Sequence, residues 1–344
     1  MAATPPIAAS AAPAPQAVMV RMLTSYWISQ ALHVAAHLGV ADLLKDGPQT
    51  AARLAEATGT HARSLYRLLR ALASEGVFVE DAQERFALTP LGECLRSDAP
   101  HSQRSMAIMN GEEHYRCWGE LLYSVQTGQT AFEKIYGQPI FQYLAAHPRQ
   151  ARIFDEGMVG VHGTETKAML DAYDFSKFGT LIDVGGGNGS LLLATLQRHP
   201  ALRGVLFDRP DVIERARANV KAAGLEDRCT LTPGDFFQTA PSGGDAYLMR
   251  HIIHDWNDEQ CRTILRNCRK IMPSSAKLLL VESVIPAGND PCFAKFLDLT
   301  MLVIPGGMER TESEYRELLA SAGFRLERIV PTASVIHVIE SAPA

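Results

Sequence analysis

Three glycines at alternate positions follow an apolar run that ends in an acid. The acid and the glycines are Asp183, Gly185, Gly187 and Gly189. Glycine turns at positive φ without strain and lets a ligand approach the main chain closely. A helix is expected to begin near Ser190, so the loop amides would point into a cleft at the carboxyl edge of a sheet. A strand–loop–helix unit of this kind is typical of a site for a nucleotide-like cofactor.

The spacing of the glycines separates two classes of cofactor. A dinucleotide site requires G-x-G-x-x-G, and Ser190 stands where the last glycine of that motif would be. The pattern at 183–189 is D-x-G-x-G-x-G, which resembles the S-adenosylmethionine site of methyltransferases. That ligand carries an ammonium, which needs an acid nearby, and a carboxylate, which needs amides. A nicotinamide dehydrogenase is therefore disfavoured.

Two further acids lie at the ends of the next two predicted strands. Asp208 ends a strand at 204–207, where an acid can accept both hydroxyls of a ribose. Asp235 and Phe236 follow a strand at 229–232, where an acid and an aromatic ring can meet adenine. Asp208 alone could be a helix-capping acid, and a glycine loop alone could be a tight turn. Because these features fall at successive strand ends, together they predict a nucleoside site.

A histidine-rich segment, Arg-His-Ile-Ile-His-Asp-Trp at 250–256, follows the fourth predicted strand. His254 would lie on a loop facing the same cleft, and imidazole titrates near neutral pH, so it can take a proton from an acidic hydroxyl. An isolated histidine there could instead be a core or capping residue. His251 belongs to the strand end and should point elsewhere than His254 if the strand period continues. A metal site is a further alternative, and we predict none. Its ligands would be His251, His254, Asp255 and Asp258.

Two glutamates are expected beside this histidine. Glu282 lies near the end of an apolar strand at 277–284, where an acid is costly to bury unless it is paired or protonated. Glu309 lies in a loop before a helix, where it could simply favour the helix dipole. Both would open onto the carboxyl edge of adjacent strands beside His254. A histidine that is hydrogen-bonded to a carboxylate is a familiar general base.

The composition excludes several classes of function. The chain has 344 residues, 47% of them hydrophobic, and a net charge of −5, which gives no electrostatic footprint for nucleic acid or for an anionic membrane. The six cysteines contain no C-x-x-C motif, which indicates reduced thiols and a cytoplasmic protein. Residues 1–16 lack the basic region of a signal peptide and are predicted to be a disordered tail. The apolar stretch that follows is broken by Arg21, His33 and His37, so it is not a membrane span.

The pattern of elements predicts two domains joined by a helical linker. At 17–105 a winged-helix pattern is all-helical apart from a small β-ribbon, with Thr60 as the N-cap of one helix. At 106–175 helices are interrupted by glycine and proline, and large apolar residues cluster there. At 176–344 strands alternate with helices, which predicts a Rossmann-like α/β domain with a mostly parallel sheet and helices on both faces.

The motifs are similar to those of the metal-independent, S-adenosylmethionine-dependent O-methyltransferases of the plant caffeic acid and hydroxyindole type. Bacterial members of that family modify pigments and polyketide antibiotics. The resemblance covers the chain from about Val18 to the end. Besides the glycine loop, it rests on Phe-Asp-Arg-Pro-Asp at 207–211, Gly-Asp-Phe-Phe at 234–237, His-Asp-Trp at 254–256 and Gly-Met-Glu-Arg-Thr at 307–311. It implies a class I methyltransferase domain and an N-terminal winged-helix domain that forms a homodimer instead of binding DNA.

The resemblance also implies a role for each candidate residue. His254 would be the general base, flanked by Glu282 and Glu309. The cofactor S-adenosylmethionine would be held by Asp183, Gly185, Gly187, Gly189, Asp208, Asp235, Phe236 and Arg250. The acceptor pocket, to which the helical linker contributes, would include Trp118, Phe154, Met158, Met301 and Ile304. Family members often have Lys at the position of Arg250 and Trp at that of His251, so here the charge is kept and an aromatic ring near the adenine is lost.

The sequence therefore predicts an enzyme of secondary metabolism that moves a methyl group from S-adenosylmethionine to a hydroxyl of an aromatic or conjugated small molecule. Two alternatives stay open. The first is a methyltransferase-fold protein with other chemistry, such as decarboxylation or hydroxylation, against which the intact His254 argues. The second is a winged-helix, ligand-responsive regulator. It would need a basic recognition helix, and the three arginines at 62–75 have a spacing more typical of a solvated helix face.

Overall fold

The computed structural model describes residues 13–344. Its helices are α1 (Pro15–Thr24), α2 (Tyr26–His37), α3 (Val40–Leu43), α4 (Ala51–Thr58), α5 (Ala62–Ser74), α6 (Pro90–Glu93), α7 (Arg104–Gly111), α8 (Glu113–Gly119), α9 (Leu121–Thr127), α10 (Ala131–Tyr136), α11 (Ile140–Ala146), α12 (Pro148–Ala172), α13 (Ser190–Arg198), α14 (Pro210–Ala222), α15 (Asp258–Ile271), α16 (Phe293–Val303) and α17 (Glu312–Ser321). Its strands are β1 (Gln49–Thr50), β2 (Phe78–Glu80), β3 (Arg85–Leu88), β4 (Thr180–Val184), β5 (Arg203–Asp208), β6 (Cys229–Pro233), β7 (Ala246–Arg250), β8 (Lys277–Ile285), β9 (Arg310–Thr311), β10 (Phe324–Pro331) and β11 (Ile336–Pro343). A 3₁₀ turn, Ile253–Asp255, lies between β7 and α15.

The chain divides into two compact units, one ending at Gly111 and one covering Glu112–Ala344. The predicted linker at 106–175 is shared between them, because α7 packs on α2 in the first unit whereas α8 to α12 belong to the second. Most of the predicted tail, residues 1–12, lies outside the described residues. Its last two residues, Pro15 and Gln16, already form the first turn of α1.

The first unit has the expected winged-helix arrangement of short helices and a small antiparallel sheet in the order β1–β3–β2. Helix α5 buries Leu65, Leu69 and Leu72, which recur on one face at helical spacing. The ribbon of β2 and β3 begins after that helix, with Phe78 opposite Leu88. The apolar face of α5 thus packs against α4, α2 and the ribbon.

The predicted N-cap of α5 is wrong by one residue. The cap is His61, whose Nδ1 accepts a hydrogen bond from the Ser64 amide, and not Thr60. The Thr60 hydroxyl pairs with the hydroxyl of Thr58 at 2.9 Å instead. A histidine ring nitrogen can accept at this position in the same way as the usual serine or aspartate oxygen.

The second unit is built on a sheet in the order β10–β11–β8–β7–β4–β5–β6. The strands β8, β7, β4, β5 and β6 run parallel, β11 runs antiparallel to β8, and β10 runs antiparallel to β11. From β4 the chain proceeds to β5 and β6 on one side and then crosses to β7 on the other. This reversal makes a switch point at the carboxyl ends of β4 and β7, where open α/β sheets bind their ligands.

Both faces of this sheet are buried. Along β4 the side chain of Leu181 joins the hydrophobic cluster on one face, and that of Ile182 joins the cluster on the other. In β7, Leu248 and Tyr247 divide between the same two clusters. Burying a side chain of this size contributes about 1.5–3 kcal/mol, so the continuous apolar strands hold helices on both faces of the sheet.

The elements of the second unit follow the sequence pattern closely. The predicted interruption of the helices at 106–175 by glycine occurs at Gly128 and Gly137, which cap α9 and α10 in the left-handed conformation. Pro148 opens α12 at its first turn. No described helix combines the length and apolar character that crossing a membrane would require.

Candidate active site

The glycine loop turns sharply between β4 and α13. Gly185, Gly187 and Gly189 have φ values of 73°, 59° and 81°, which glycine adopts without strain. A Cβ at Gly185 would lie 2.5 Å from the Ile252 side chain, whereas one at Gly187 would meet nothing within 4 Å. The loop is therefore closely packed at its start and open in its middle, where a ligand can approach the backbone.

Asp208 holds this loop from the end of β5. Its Oδ2 accepts a hydrogen bond from the Gly187 amide at 2.8 Å, and its Oδ1 accepts one from the Arg209 amide at 2.7 Å. Burial raises the pKa of the Asp208 carboxyl, and the two amides oppose that rise. The acid at the second strand end thus lies beside the open part of the glycine loop.

A buried carboxyl group packs directly against the same loop. Asp183 is 1% exposed, and its Oδ2 has no hydrogen-bond partner among the described residues. A Cβ at Gly186 would lie 2.6 Å from this oxygen. Burial raises the pKa of Asp183 to about 7, and the positive charge of Arg250 acts in the opposite direction. An unpaired buried oxygen is costly, so this atom is suited to meet a cationic ligand group.

Arg250 ends β7 close to this carboxyl group. Its Nη1 donates a hydrogen bond to the Thr166 hydroxyl of α12 at 2.9 Å. Burial lowers the pKa of Arg250, and the carboxylates of Asp183 and Glu165 counteract the decrease. The guanidinium therefore supplies the positive charge that balances the acids around the loop.

Aromatic rings close one side of the loop. The Phe236 ring lies 3.4 Å from the Cβ position of Gly185, and its centroid is 6.1 Å from that of Trp256. Asp235, on the same segment, is exposed, and its Oδ1 accepts a hydrogen bond from the Phe237 amide at 2.9 Å. The structure thus brings Phe236 to the glycine loop and places Asp235 in the turn that carries it.

His254 lies in the 3₁₀ turn after β7 and is paired with a glutamate. Its Nδ1 is 2.6 Å from Oε1 of Glu309, and both side chains are buried. Because a carboxylate oxygen accepts, the Nδ1–H of His254 donates, and when the ring is neutral Nε2 carries the lone pair. Oδ1 of Asp255 is 3.5 Å from that Nε2. The imidazole is therefore oriented with one nitrogen fixed and the other able to accept a proton.

Glu282 approaches the same imidazole from β8. Its Oε1 accepts hydrogen bonds from the amides of Ile252 and Ile253 at 3.1 and 2.9 Å. Its Oε2 is 3.8 Å from Nδ1 of His254 and has no hydrogen-bond partner among the described residues. Burial raises the pKa of Glu282, and the two amides and the charge of His254 oppose the rise. Glu282 thus fixes the turn that carries His254.

Three carboxylates make His254 strongly basic. Burial alone would lower its pKa, but nearby negative charge outweighs burial and raises the pKa to about 10. The carboxylates are those of Glu282, Asp255 and Glu309. Burial also raises the pKa of Asp255 to about 6, and the charge of His254 acts against that rise.

The loop before α17 packs directly on the His254 turn. A Cβ at Gly307 would lie 2.0 Å from the His254 carbonyl oxygen, and the Met308 amide donates to that same oxygen at 2.9 Å. The buried Arg310 guanidinium donates to the Ile253 carbonyl oxygen at 3.2 Å. These contacts fix His254 relative to Glu309.

Several residues that build this site have no role predicted from the sequence. Gly307 and Arg310 were visible only as members of a motif, and their contacts cross more than forty residues of chain. The sequence suggested Asp255 only as a possible metal ligand. Its position directly after His254 could have indicated that it belongs to the same site, since adjacent residues in a 3₁₀ turn can share one site.

The expectation for His251 is wrong. The sequence predicted that it points elsewhere than His254, but the two ring centroids are 5.0 Å apart. The strand period does not continue, because β7 ends at Arg250 and His251 adopts a φ of 52°. Its Nε2 is 2.9 Å from Oε2 of Glu165, and its ring stacks on His162.

Among residues 13–344, two groups of three side chains have the donor atoms that a metal ion would require. Within each group the candidate ligand atoms lie within 4.8 Å of one another. The groups are His162, Glu165 and His251, and His251, His254 and Glu282. Of the four ligands considered in the sequence analysis, the first group contains only His251, and the second contains His251 and His254.

Three of the five residues predicted for an acceptor pocket lie in or next to one aromatic cluster. Trp118 packs against a buried cluster that contains Ile304. Phe141 joins this cluster and meets Phe154 edge to face, with ring centroids 6.4 Å apart. The Phe141 ring is also 5.6 Å from that of Trp256, two residues beyond His254. An apolar wall thus extends from α8 towards the His254 turn.

The other two predicted pocket residues lie on different helices. Met301 is buried on α16, and Met158 is half-buried on α12. Phe141, which connects the aromatic cluster to Trp256, was not among the predicted residues. The clustering of large apolar side chains between Trp118 and Phe154 could have indicated that Phe141 belongs to the pocket.

Two family models match the chain. A model described as an O-methyltransferase domain matches residues 118–325, and one described as an O-methyltransferase dimerisation domain matches residues 20–98. The first alone covers more than half of the chain.

Individual proteins match over almost the whole length. A phenazine O-methyltransferase of Lysobacter antibioticus is 48% identical over 326 residues, which are 95% of this chain and 96% of that protein. Aclacinomycin 10-hydroxylase of Streptomyces purpurascens is 37% identical over 315 residues, which are 90% of this chain and 84% of that protein.

A solved structure with bound ligands has the same fold. An O-methyltransferase from neocarzinostatin biosynthesis, in complex with S-adenosylmethionine and 2-hydroxy-5-methyl naphthoic acid, matches with a TM-score of 0.83 and 34% identity. The match covers 97% of this chain and 100% of that chain.

Proposed function

The chain belongs to the S-adenosylmethionine-dependent O-methyltransferases, and we propose that it methylates a hydroxyl of an aromatic or conjugated small molecule with His254 as general base. It is an enzyme of the class I methyltransferase fold, with S-adenosylmethionine as methyl donor. The observation that carries the proposal is the 2.6 Å bond between His254 and Glu309 at the carboxyl edge of the sheet. It leaves Nε2 of the imidazole available for a proton.

The residues around the glycine loop fit S-adenosylmethionine. The unpaired Oδ2 of Asp183 suits its ammonium. The amides of Gly185, Gly187 and Gly189 donate within the protein, so we assign to these glycines the tight turn and the open backbone along which the carboxylate of the cofactor can approach. Asp208 suits the ribose hydroxyls, since it lies at the end of β5 beside the open part of the loop. We further assign the adenine to Asp235 and Phe236 and the charge balance of the site to Arg250.

When bound, S-adenosylmethionine supplies a methyl group on a sulfonium, which is already a good electrophile. The chain must hold the acceptor oxygen in line with that group, and such orientation contributes roughly 7–11 kcal/mol. His254 takes the proton of the acceptor hydroxyl at Nε2. A phenol has a pKa of about 10 against about 6.5 for a free histidine, so an ordinary imidazole would accept this proton uphill.

The carboxylates reduce this difference. With the pKa of His254 raised to about 10, proton transfer from a phenol becomes nearly even. Glu309 fixes the ring and its tautomer through Nδ1, and Glu282 fixes the backbone turn. These two residues act on the base and do not touch the proton themselves.

The aromatic wall supports a flat acceptor. Trp118, Phe154 and Ile304 lie in or next to one cluster, and Phe141 connects it to Trp256 near the base. We include Met158 and Met301 in the same pocket on the basis of the family resemblance. The bound hydroxy naphthoic acid of the neocarzinostatin enzyme supports an acceptor of this chemical class.

The test is methyl transfer from isotope-labelled S-adenosylmethionine to a panel of hydroxylated phenazines, naphthoic acids and simple phenols. Each acceptor is paired with its own methyl ether, in which the hydroxyl is already blocked. We expect label in the product of at least one free hydroxyl and none in the matched ethers. Equal labelling of ethers and phenols would contradict O-methylation.

The hydroxylase relative keeps one other chemistry open. Aclacinomycin 10-hydroxylase shares 37% identity with this chain, so the fold also supports hydroxylation. Mass spectrometry of the same reactions separates the two, because hydroxylation adds oxygen and no labelled methyl group. A product of that kind, without methyl transfer to any acceptor, would favour the second function.

The first unit supports a homodimer. The chain carries a dimerisation domain, and α1 and α2 expose large apolar side chains. Met22, Leu23 and Trp27 are 65%, 66% and 62% exposed, which is costly unless a second copy covers them. We propose that these helices form the dimer contact. All six cysteines are free, which supports a reducing, cytoplasmic location.

The structure offers less to a DNA-binding regulator. On α5 the guanidinium groups of Arg63 and Arg70 lie 5.4 and 5.5 Å from the Tyr66 ring centroid. Two of the three arginines therefore contact a ring of their own helix, as on an ordinary solvated face. DNA binding that weakens steeply with salt would revive this alternative.

A further inference from the structure

A second histidine–carboxylate pair lies beside the proposed base and has no part in the proposed mechanism. Nε2 of His251 is 2.9 Å from Oε2 of Glu165, and both side chains are nine-tenths buried or more. The ring centroid of His251 is 5.0 Å from that of His254. A buried titratable group so close to a base affects where protons reside in the site.

The backbone and a neighbouring ring fix the orientation of His251. Its φ of 52° is unusual for any residue other than glycine, and its amide donates to the Val281 carbonyl oxygen at 3.1 Å. Its ring stacks on that of His162, with centroids 4.5 Å apart and planes 14° apart. A strained conformation held from several sides is a frequent feature of functional sites.

The bond to Glu165 decides the tautomer of His251. Burial lowers the pKa of His251, so at neutral pH the ring carries one proton. A carboxylate oxygen accepts, so that proton lies on Nε2 and faces Glu165. Nδ1 is then an acceptor, and it has no hydrogen-bond partner among the described residues.

The unprotonated Nδ1 of His251 lies near Oε2 of Glu282. Oε2 of Glu282 is 3.8 Å from Nδ1 of His251 and also 3.8 Å from Nδ1 of His254. The other oxygen of Glu282 is already engaged by two backbone amides. Two lone pairs that face each other repel, whereas a proton on Oε2 would turn the contact with His251 into a donor–acceptor pair.

We propose that His251 is a positioning residue for the reaction: its unprotonated Nδ1, 3.8 Å from Oε2 of Glu282, favours a proton on that oxygen and so limits the negative charge that Glu282 presents to His254. The inference rests on the proposed function, because it concerns the base. Loss of the acceptor at His251 favours ionised Glu282. His254 then holds its proton more tightly, and a higher pH is needed to make it a free base.

Charged and titratable groups surround this pair on every side. Helix α12 contributes Glu165 and His162, β7 contributes Arg250, and β8 contributes Glu282. The groups around Glu282 and His254 are Asp255, Glu309, Cys261 and Tyr315, together with His337 of β11, which lies directly opposite Glu282 in the sheet. None of these changes in the two test variants, so a difference between the variants reports on position 251 itself.

The test uses two amides that differ in where they place an acceptor. His251→Asn puts an amide oxygen near the position of Nδ1, and His251→Gln puts the amide near the position of Nε2. The pH dependence of kcat/KM is measured for the full-length enzyme with a phenol acceptor. The pKa of His254 is measured separately by NMR of isotope-labelled histidine, with its signal assigned by loss in His254→Ala. Binding of S-adenosylmethionine by calorimetry shows that each variant is folded.

In His251→Gln we expect the midpoint of the kcat/KM profile and the pKa of His254 from NMR to rise by at least about half a pH unit. In His251→Asn we expect both values to stay near those of the wild type. Glu165→Ala removes the carboxylate that holds the His251 proton on Nε2. This variant should shift both values in the same direction as His251→Gln, and it replaces His251→Gln in the test if that variant does not fold. Equal midpoints in all these proteins, or a shift to lower pH, would overturn the inference. If His254→Ala still shows the predicted loss of turnover on a phenol, the proposed function then stands. If His254→Ala keeps full turnover, the proposed function fails as well.

Discussion

His254 has to meet two requirements that act on its pKa in opposite directions. A strong base needs a high pKa, and the surrounding carboxylates raise the pKa to about 10. A free base needs to have lost its proton before the acceptor arrives, which at this pKa is the minor form at neutral pH. Activity should therefore rise as the pH is raised from neutral into the alkaline range.

Glu309→Gln tests the contribution of one carboxylate. Removing that negative charge lowers the pKa of His254, so the rise of kcat/KM with pH should move to lower pH by about one unit. The maximal rate should fall by less than in His254→Ala, because the amide can still orient the ring. Glu312→Gln is the matched control, since Glu312 is an exposed neighbour paired with Arg316. An unchanged midpoint in Glu309→Gln would show that Glu309 does not tune the base.

At this scale the sequence predicted residue types better than residue contacts. Strand ends and motif spacing placed His254, Glu282 and Glu309 at one edge of the sheet, and the structure brings them within hydrogen-bond or short electrostatic distance. The orientation of His251 could not be predicted, because it depends on a backbone angle that no residue pattern specifies.

At the scale of elements, the site depends on loops that follow strands. The loops after β4 and β7 meet because the strand order reverses between those two strands. The loop before α17 then covers the turn after β7, with Gly307 against the His254 carbonyl oxygen. Close approach of two backbones requires a residue without a side chain at that point.

Gly307→Ala should therefore damage the site without touching a catalytic group. The added Cβ would lie 2.0 Å from a backbone oxygen, so one of the two loops must move. We expect a loss of about 1–3 kcal/mol of folding free energy and at least a tenfold loss of turnover. Thermal denaturation and the methyl-transfer assay measure the two effects. Gly119→Ala is the control, because its Cβ would meet nothing within 4 Å, and equal behaviour of the two variants would contradict the argument.

The elements themselves were largely predictable from sequence. The sequence pattern located the apolar strand before the glycine loop and the helix that begins at Ser190, because these signals act within a few residues. The predicted N-cap of α5, Thr60, is wrong because the ring of His61 accepts the hydrogen bond that a threonine hydroxyl usually accepts. The contact of Phe141 with Phe154 and Trp256 joins distant segments, and no local pattern encodes it.

At the scale of the whole molecule, the first unit carries an apolar surface that one chain leaves exposed. The large side chains of α1 and α2 that face solvent would need a partner to be buried. The match to a dimerisation domain covers these helices from residue 20 onward.

Light scattering should give about twice the chain mass of 37.6 kDa. Leu23→Glu should shift the protein towards monomer, because it places a charge in the proposed contact. Val79→Glu is the control, since Val79 is comparably exposed but lies on the β-ribbon. A wild-type monomer at micromolar concentration, or a Leu23→Glu dimer, would contradict the proposed contact.

The cofactor site predicts a clear difference between two ligands. Calorimetry should show micromolar-range binding of S-adenosylmethionine or its demethylated product and no binding of NAD. Asp208→Ala should weaken binding by roughly tenfold or more, about 1.4 kcal/mol, whereas Asp211→Ala, an exposed acid on α14, should change little. Binding of NAD without binding of S-adenosylmethionine would contradict the assignment of the glycine loop.

The most direct measurement is the rate of methyl transfer by His254→Ala on a phenol of pKa near 10. We predict a turnover lower by roughly 10²–10⁴, with binding of S-adenosylmethionine nearly intact and with no effect of a chelator on the wild-type enzyme. A strongly acidic hydroxyl is already ionised, so on such an acceptor the same variant should keep much of its rate. Wild-type turnover of His254→Ala on the phenol, or loss of wild-type activity on chelation, would contradict His254 as the general base.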